Sequence, residues 1–353
     1  MRRSIFLLFI QLISTDSQGQ LYSLQYIDTK VDASFRGLSV ADENAVWVSG
    51  SKGWVGHSTN GGDDWTFRQV PGYEDCDFRT LYAFDSNHAV IANAGSPAYI
   101  LHTADGGATW KLVYKNADSA AFLDGVDFWN KKDGLMHGDP INGRMLLLYT
   151  NDGGKTWKER KKRHRPVLGE GEASFAASGT AISCFLHGAV VVAVGGKTSK
   201  LYFSRNRGRR WRSISTPMLA SSESTGIFSF IPGSHSVWHW QITGGDYRND
   251  MVSTANFFYS HNKGKDWQVP QTTTRGYREC LTQIDDERPA KKSRTRTIFA
   301  VGPSGIDISY DDGINWSPLS DEKGFHVIKP SIDQNRMFLA GANGKLAIMK
   351  TIP

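Results

Sequence analysis

The sequence predicts an all-β protein, a seven-bladed β-propeller of four-stranded antiparallel blades, and three observations support this prediction. A short turn motif that ends in tryptophan recurs six times, with successive tryptophans 45 to 56 residues apart. The intervals contain short apolar or alternating runs bounded by Gly, Asn, Asp or Pro, which is how strands are punctuated. A repeat of this length fits one four-stranded unit, and such a unit buries its faces only against its neighbours.

The turn motif has a chemistry that predicts a structural role. Ser or Thr opens it, an Asp or Asn two residues later can accept hydrogen bonds from turn amides, and glycine supplies a positive φ. The tryptophan begins the next strand and contributes a large buried surface. The six pairs of acidic or amide residue and tryptophan are Asn60 and Trp65, Asp105 and Trp110, Asp152 and Trp157, Asn206 and Trp211, Asn262 and Trp267, and Asp311 and Trp316. A turn of this kind needs no ligand.

Seven units can be counted from the runs that would form their first strands. These runs begin near Phe35, Phe78, Phe122, Phe175, Ile227, Tyr277 and Phe325. The last unit has only three strands and lacks the tryptophan turn, whereas the strand-like segment 21–27 near the start of the chain has no unit of its own. We expect this N-terminal strand to complete the last blade and close the ring, because closure removes two exposed sheet edges.

Residues 1–19 have the order of a secretory signal peptide: Arg2 and Arg3, a short apolar run and then small residues. The single propeller domain would then occupy residues 20–353, and the mature protein is expected to be secreted or periplasmic and monomeric. The apolar run is too short to anchor the chain as a membrane span. Three cysteines leave at least one unpaired, so disulfides cannot hold the fold together.

The formal net charge of +6 is modest, so no nucleic-acid partner is predicted. The charge is uneven, however, because residues 158–165 form a basic run that would join the third and fourth blades. For this run we favour a solvated connection over a docking patch for an acidic partner.

Several segments that are not part of the repeat give the chain a family resemblance. They are residues 35–38, 77–79, 128–129, 138–140, 171–180, 244–247, 276–278 and 300–305. With the tryptophan turn, which is the Asp-box or BNR repeat, they make the chain resemble the bacterial seven-bladed propellers related to the photosystem II stability and assembly factor. The resemblance implies a scaffold or assembly-type protein outside the cytoplasm, and it does not imply the photosystem role itself.

Charged residues at the starts of the first strands are the candidate binding site. Alignment of these strands places Arg36, Arg79 and Arg278 at equivalent positions, with Asp124 at the same position in the third blade. The first strand of each blade lines the central channel, so three guanidiniums there would repel one another unless they met carboxylates or an anionic ligand. The candidate counter-charges are Asp124, Asp139, Glu172 and Asp246. Either an arginine–carboxylate network that fixes blade order or a site for an anionic ligand or a partner's carboxylate would satisfy this pattern.

Catalysis is the alternative, as a sialidase-like glycoside hydrolase acting on an acidic glycan. Sialidases clamp a carboxylate with three arginines in an Asp-box propeller, and Tyr247 or Tyr277 could be the nucleophile with a carboxylate partner. The Arg-Ile-Pro motif expected at the first arginine is absent, because Arg36 is followed by Gly37 and Leu38.

No zinc spacing, phosphate loop, nucleophile elbow or dinucleotide motif is present in the sequence, so no metal and no cofactor are predicted. The sequence therefore predicts a non-enzymatic propeller that binds a protein or an anionic ligand at an arginine-lined channel face.

Overall fold

The structure is a computed structural model that describes residues 22–233, 238–285 and 296–352, with the backbone of residues 11–13. The leader predicted at residues 1–19 lies outside the described residues, apart from that short backbone segment. The all-β class is confirmed, because the regular structure of these ranges consists of strands and two single-turn 3-10 helices, Lys162–His164 and Leu186–Gly188. Within the same ranges no helix has the length and apolarity needed to cross a bilayer.

The strands of the first half of the chain are β1 (Gln11–Ile13), β2 (Tyr22–Tyr26), β3 (Phe35–Val40), β4 (Val46–Gly50), β5 (Trp54–Ser58), β6 (Thr66–Gln69), β7 (Thr80–Ala83), β8 (Ala89–Ala92), β9 (Ala98–Thr103), β10 (Lys111–Asn116), β11 (Leu123–Phe128), β12 (Gly134–Ile141), β13 (Arg144–Thr150), β14 (Lys158–Glu159) and β15 (Glu172–Ala173). Those of the second half are β16 (Ile182–Phe185), β17 (Ala189–Gly196), β18 (Lys200–Ser204), β19 (Arg212–Ser215), β20 (Thr225–Pro232), β21 (Trp240–Asp246), β22 (Phe257–Ser260), β23 (Cys280–Asp285), β24 (Arg296–Gly302), β25 (Gly305–Ser309), β26 (Ser317–Ser320), β27 (Phe325–Pro330), β28 (Arg336–Gly341) and β29 (Leu346–Thr351).

These strands form six antiparallel sheets across the described ranges. Four sheets contain four consecutive strands each, namely β3–β6, β7–β10, β11–β14 and β23–β26. A fifth sheet contains β27, β28 and β29, followed by β2 and β1. The sixth has eight strands, because β16–β19 lie beside β20–β22 and β15 also pairs with β17. A four-stranded meander is therefore the repeating unit, as the sequence predicts.

Burial decreases from the second strand of each unit toward the fourth. Every residue of β4, β8 and β17 is buried, whereas most of β6 and all of β14 are exposed. The fully apolar run of β17 fits this pattern, because a strand with sheets packed against both faces has no solvent side and shows no alternation. In the four sheets that contain a single unit, the fourth strand forms one edge of the sheet.

The N-terminal strand β2 pairs antiparallel with the C-terminal strand β29, with Leu24 opposite Met349. Tyr22 and Leu24 are each only 1% exposed and lie in a hydrophobic core shared with β27–β29. The segment predicted to be a fourth strand for the last unit therefore occupies that position.

All six tryptophan turns have the hydrogen bonds that the sequence predicts. In each turn the Ser or Thr hydroxyl donates to the Asp or Asn side chain and accepts the N–H of the glycine four residues later. The same Asp or Asn oxygen accepts the N–H of the residue before tryptophan. The glycine has a positive φ in every case, which explains why the motif requires it.

Replacing Asp152 by alanine is expected to lower the free energy of unfolding by about 1 kcal/mol, because it removes the acceptor of a local hydrogen-bonded turn. Asp152 accepts bonds from the Thr150 hydroxyl (2.8 Å) and from the Thr156 amide (3.0 Å). Asparagine is the natural residue at this position in three other turns, so Asp152→Asn should cost clearly less. Urea unfolding of the two variants measures the difference. An Asn variant that loses as much stability as the Ala variant would contradict the explanation.

Candidate functional site

Four of the side chains that line one end of the channel come from one structural position that recurs in the first strands. In four units a β-bulge interrupts the pairing of the first and second strands, and it leaves one residue unpaired. The unpaired residues are Arg36, Asp124, Phe228 and His326. A bulge re-aims its side chain away from the regular alternation of the strand. In these four units the bulge therefore brings one side chain to the same end of the channel.

Arg278 does not occupy the channel position of Arg36. The predicted alignment of Arg278 with Arg36 and Arg79 is wrong by one residue. The N–H of Arg278 donates to the Gly244 carbonyl at 3.1 Å, as the N–H of Phe78 donates to the Gly50 carbonyl at 2.9 Å. Arg278 therefore corresponds to a core phenylalanine, and it is 0% exposed. The residue after it, Glu279, takes the channel position. A shift of one residue in a strand reverses the face to which a side chain points.

The buried Arg278 is held by Asp307. Its Nε donates to Asp307 Oδ2 at 2.9 Å, and its Nη1 donates to the Tyr277 carbonyl and to Ser304 Oγ at 2.8 and 2.9 Å. Arg275 donates to the other oxygen of Asp307 through its Nε at 2.6 Å. The carboxylate that holds Arg278 is therefore Asp307, which is not one of the predicted counter-charges.

A cavity of about 490 Å³ lies at the channel end where the first strands begin. Six of the nine predicted site residues line it: Arg36, Arg79, Asp124, Asp139, Tyr247 and Tyr277. The other lining residues used below are Phe175, Ala177, Phe228, Glu279 and His326. Glu172, Asp246 and Arg278 do not line it.

Arg36 is fixed across the channel by Glu279. Its Nη1 donates to Glu279 Oε2 at 2.6 Å and to the Ala177 carbonyl at 3.1 Å. His326 Nδ1 lies 3.0 Å from the same carboxylate oxygen. Burial by itself would raise the pKa of Glu279, but the charges of Arg36 and His326 outweigh burial and hold that pKa below its usual value. Glu279 is therefore an anion shared by two basic side chains from other units.

Arg79 is the more accessible of the two arginines in the cavity. Its Nε donates to Asp77 Oδ2 at 2.7 Å, and its side chain is 35% exposed. Among the described residues, its Nη1 and Nη2 make no hydrogen bond. Arg79 also lines the larger channel cavity of about 590 Å³ that lies deeper. A guanidinium in this position can still donate in parallel to an incoming carboxylate.

Asp124 and Asp139 form an acidic side of the cavity. Asp124 is 0% exposed, and neither of its carboxyl oxygens has a hydrogen-bond partner in the described part of the chain. Burial and the nearby Asp139 raise the pKa of Asp124 well above its usual value, while Arg79 acts against the rise. Burial also raises the pKa of Asp139 to about 6, although its Oδ1 accepts the Ser174 N–H at 3.2 Å. The two carboxyl groups are therefore protonated more readily than ordinary aspartates.

Aromatic rings form another part of the cavity wall. Phe175 stacks on Phe228 with ring centroids 3.9 Å apart, and Tyr277 meets Phe228 edge-on at 4.7 Å. Tyr247 adds a second edge-on contact at 6.3 Å and is 45% exposed. Phe175 reaches this position because the segment after β15 is irregular, and the inner strand predicted to begin near Phe175 starts at Ile182 instead.

Glu172 and Asp246 have local structural roles. Glu172 is 3% exposed and accepts hydrogen bonds from Thr198, Lys200 and the Gly169 N–H. Asp246 accepts the N–H of Arg248 and the side-chain amide of Asn249 in the turn that follows β21. Glu172 is thus held mainly by residues at the turn between β17 and β18, whereas Asp246 pairs within its own turn.

The site contains part of what a sialidase-type mechanism needs. Tyr277 lies against the Glu279 carboxylate, and Arg36 lies beside both. Tyr277 is only 1% exposed, however, and burial together with Glu279 raises its pKa well above the usual value. A tyrosine nucleophile would need the opposite shift, because its anion has to be accessible and stable. The geometry therefore favours binding over nucleophilic attack.

Comparison with known proteins confirms the resemblance predicted from the motifs. The family model described as photosynthesis system II assembly factor YCF48 matches residues 15–119, and the BNR/Asp-box repeat model matches residues 148–159. No curated protein sequence matches the chain.

Solved structures show the fold to be a β-propeller. A structure described as YCF48 bound to D1 peptide is 16% identical with a TM-score of 0.65, and the match covers 97% of this chain and 100% of that one. YCF48 from Cyanidioschyzon merolae is 17% identical with a TM-score of 0.61, covering 93% and 98%. The WD40 β-propeller domain of Doa1 is 12% identical with a TM-score of 0.56, covering 98% and 97%.

Proposed function

We propose that this chain is a closed, seven-bladed β-propeller that acts by binding and not by catalysis. Its ligand would be an extended protein segment that enters the cavity lined by Arg36 and Arg79. The match to the assembly-factor family supports a binding role. The similar propeller that was solved with a bound D1 peptide supports a peptide as the kind of ligand.

The count of seven depends on where the eight-stranded sheet divides. The units β16–β19 and β20–β22 share a single residue pair, Gly195 opposite Gly226. An isolated bridge between Tyr259 and Gln268 supplies a fourth-strand position beside β22. With that division and with β2 beside β29, all seven units have four strands and the two ends of the chain meet in one sheet. A closed ring leaves no sheet edge between its first and last blades.

The observation that carries the binding proposal is the pairing of a partly unsatisfied Arg79 with an aromatic wall in one cavity. A carboxylate in the ligand would take the Nη atoms of Arg79, which make no hydrogen bond among the described residues. Apolar groups beside that carboxylate would lie against Phe228 and Tyr247. Arg36 contributes positive charge but is already committed to Glu279. The arrangement fits an acidic residue flanked by apolar residues.

We further propose that the protein acts as a monomer in the periplasm or outside the cell. The support for the location is the signal-like order of residues 1–19. The support for the monomer is that the proposed ring closure uses the chain's own first strand, so that no second copy is needed to cover an edge.

The test is a panel of short unstructured peptides that differ only in a glutamate or a glutamine at one position between apolar residues. The parent protein is expected to bind the glutamate peptides more tightly. Arg79→Ala should remove this preference, with a loss of about 10-fold or more, since a charge-assisted hydrogen bond contributes about 1.5–3 kcal/mol. Tyr247→Ala should weaken both peptides of a pair. Fluorescence anisotropy measures the affinities.

The matched control is Arg210→Ala, which removes an exposed arginine from a turn far from the cavity. It should bind like the parent. Equal glutamate preference in the parent and in Arg79→Ala would refute the assigned site. Turnover of a fluorogenic acidic glycoside that is lost in Tyr277→Phe would instead establish the hydrolase alternative.

A further inference from the structure

Two basic segments that lie about forty residues apart in the sequence meet on the surface. One is the run 158–165, and the other is the fourth Asp-box turn with the residue that follows it, 205–212. Arg160 Nη2 donates to the Arg207 carbonyl at 2.7 Å, and a ring nitrogen of His164 lies 2.7 Å from the Arg209 carbonyl. The indole N–H of Trp211 donates to the His164 carbonyl at 3.0 Å. These contacts join the segments into one surface, which we name the basic rim.

The basic rim dominates the charge of the protein. Its eleven basic residues are Lys158, Arg160, Lys161, Lys162, Arg163, Arg165, Arg205, Arg207, Arg209, Arg210 and Arg212. The two segments carry a net charge of +10, so without them the formal charge of the chain would fall from +6 to −4. All eleven except Arg160 and Arg165 are exposed. Like charges concentrated on a surface of an otherwise acidic molecule oppose folding, and an anionic partner would relieve this repulsion.

Few carboxylates neutralise the basic rim. In the described ranges, Glu159 lies 3.5 Å from Arg165 and Asp133 lies 3.1 Å from Arg207. The charges of the basic rim also act on a neighbouring lysine. Burial and then the charges of Arg205 and Arg212 lower the pKa of Lys263 in the next Asp-box turn. The positive surface therefore extends over two adjacent Asp-box turns.

Aromatic rings hold several of these cations in place. The Arg160 guanidinium lies 4.0 Å from the centroid of the Tyr149 ring, and Arg212 lies 4.9 Å from that of Phe203. Lys263 Nζ lies 3.9 Å from the Trp238 ring, and Trp238 is 52% exposed. Stacking on an aromatic face fixes a guanidinium without consuming its hydrogen-bond donors.

The half of the basic rim formed by the Asp-box turn, residues 205–212, lies at the end of the blades opposite to the cavity. The other half, the run 158–165, extends from that end along the outer edge of the third blade, where the Arg144 side chain donates to the carbonyls of Lys162 and Arg165. Consecutive strands within a blade run in opposite directions, so the start of the first strand and the turn after the third strand lie at opposite ends. The cavity is at the former and the Asp-box turns are at the latter. Leu186, which is 65% exposed, lies on the same side and lines a groove of about 740 Å³ together with Arg207 and Arg209.

We propose that the basic rim is a docking surface for a membrane that contains anionic phospholipid. The charge is spread over a broad outer surface, which suits many headgroups more than one bound ion. The exposed leucine and tryptophan beside it are residues that favour the boundary between headgroups and acyl chains.

The test is sedimentation of the protein with vesicles of phosphatidylcholine, with and without phosphatidylglycerol. The parent should bind the anionic vesicles, and higher salt should weaken the binding. Reversal of four exposed charges, Lys161→Glu, Lys162→Glu, Arg163→Glu and Arg210→Glu, should lower the partition coefficient by about 100-fold or more. Thermal unfolding of the variant checks that it is folded.

The control reverses four exposed charges elsewhere, Arg68→Glu, Lys111→Glu, Lys115→Glu and Lys323→Glu. Both variants have the same formal charge of −2, down from +6, so only the position of the charges differs. Retention of binding by the control and loss by the rim variant support the proposal. Equal loss in both, equal binding to neutral vesicles, or binding of soluble polyglutamate without binding of vesicles would each overturn it.

Discussion

Arg278→Ala is expected to lower the free energy of unfolding by about 3–5 kcal/mol, because it leaves a buried carboxylate short of its partner. Arg278 is 0% exposed and Asp307 is 1% exposed. The corresponding change at the cavity, Arg79→Ala, should cost less than about 1 kcal/mol, because that ion pair is partly exposed to water. Urea unfolding followed by tryptophan fluorescence measures both changes.

In peptide binding, the larger effect is expected from Arg79→Ala and the smaller from Arg278→Ala. Arg278→Ala, assayed where it is still folded, should keep the glutamate preference, whereas Arg79→Ala should lose it. A small stability loss for Arg278→Ala would mean that Asp307 is satisfied by Arg275 alone. Loss of binding in folded Arg278→Ala would return Arg278 to the binding site. Two arginines that look alike in the sequence are thus assigned to different roles.

The comparison of these arginines shows where sequence reasoning succeeds and where it fails. The Asp-box turns could be predicted, because the hydrogen bonds made by their Ser or Thr hydroxyl and by their Asp or Asn side chain join residues at most four positions apart. The channel position could not, because Tyr277 resembles the leading aromatic residue of the other first strands and moves the alignment by one residue. Hydrogen bonding to the preceding blade, through the N–H of Arg278 and the carbonyl of Gly244, shows the actual register.

Other residues of the cavity could not be predicted from the sequence for a different reason. Glu279 and His326 contribute to the cavity only because the fold brings distant first strands together, and Arg36 reaches Glu279 across 243 positions of the sequence. The basic rim is a similar case. Its run 158–165 looked like a solvated connection by itself, and its meeting with the arginine-rich turn 205–212 depends on how adjacent blades pack. Local sequence patterns predict the four-stranded unit, whereas the cavity and the basic rim form only when the units pack against one another.

Asp139→Asn is expected to stabilise the protein at pH 8 and to have little effect at pH 4. The folded-state pKa of Asp139 is about 6, raised by burial from the usual value of 3.8. A raised pKa means that the folded state holds the proton more tightly, so this contribution to stability is full below about pH 4 and is lost as the pH rises through about 6. That pKa change corresponds to at most about 3 kcal/mol, and partial exposure reduces it, so we expect a gain of about 2 kcal/mol at pH 8.

The surroundings of Asp139 support the expected gain in stability of Asp139→Asn at pH 8. Asp124 repels it when both are ionised, Arg79 acts on Asp124, and the Ser174 N–H can donate equally well to an asparagine oxygen. Asp105→Asn is the matched control, because hydrogen bonds in its turn lower the pKa of Asp105 to about 2 and favour the ionised form. It should show no gain at pH 8. Urea unfolding at both pH values distinguishes the variants, and a gain for Asp139→Asn that is equal at pH 4 and pH 8 would show that the ionised carboxylate is not the cause.

An acidic pair that lowers stability at neutral pH is most easily explained by a role in the cavity. Natural sequences tolerate a destabilising group where function requires it, and asparagine would be almost isosteric here. If Asp139→Asn gains stability at pH 8 and also changes the affinity for the peptide panel, the acidic wall takes part in recognition. If it gains stability with unchanged affinity, recognition depends on Arg79 and the aromatic wall, and the two carboxyl groups only shape the cavity.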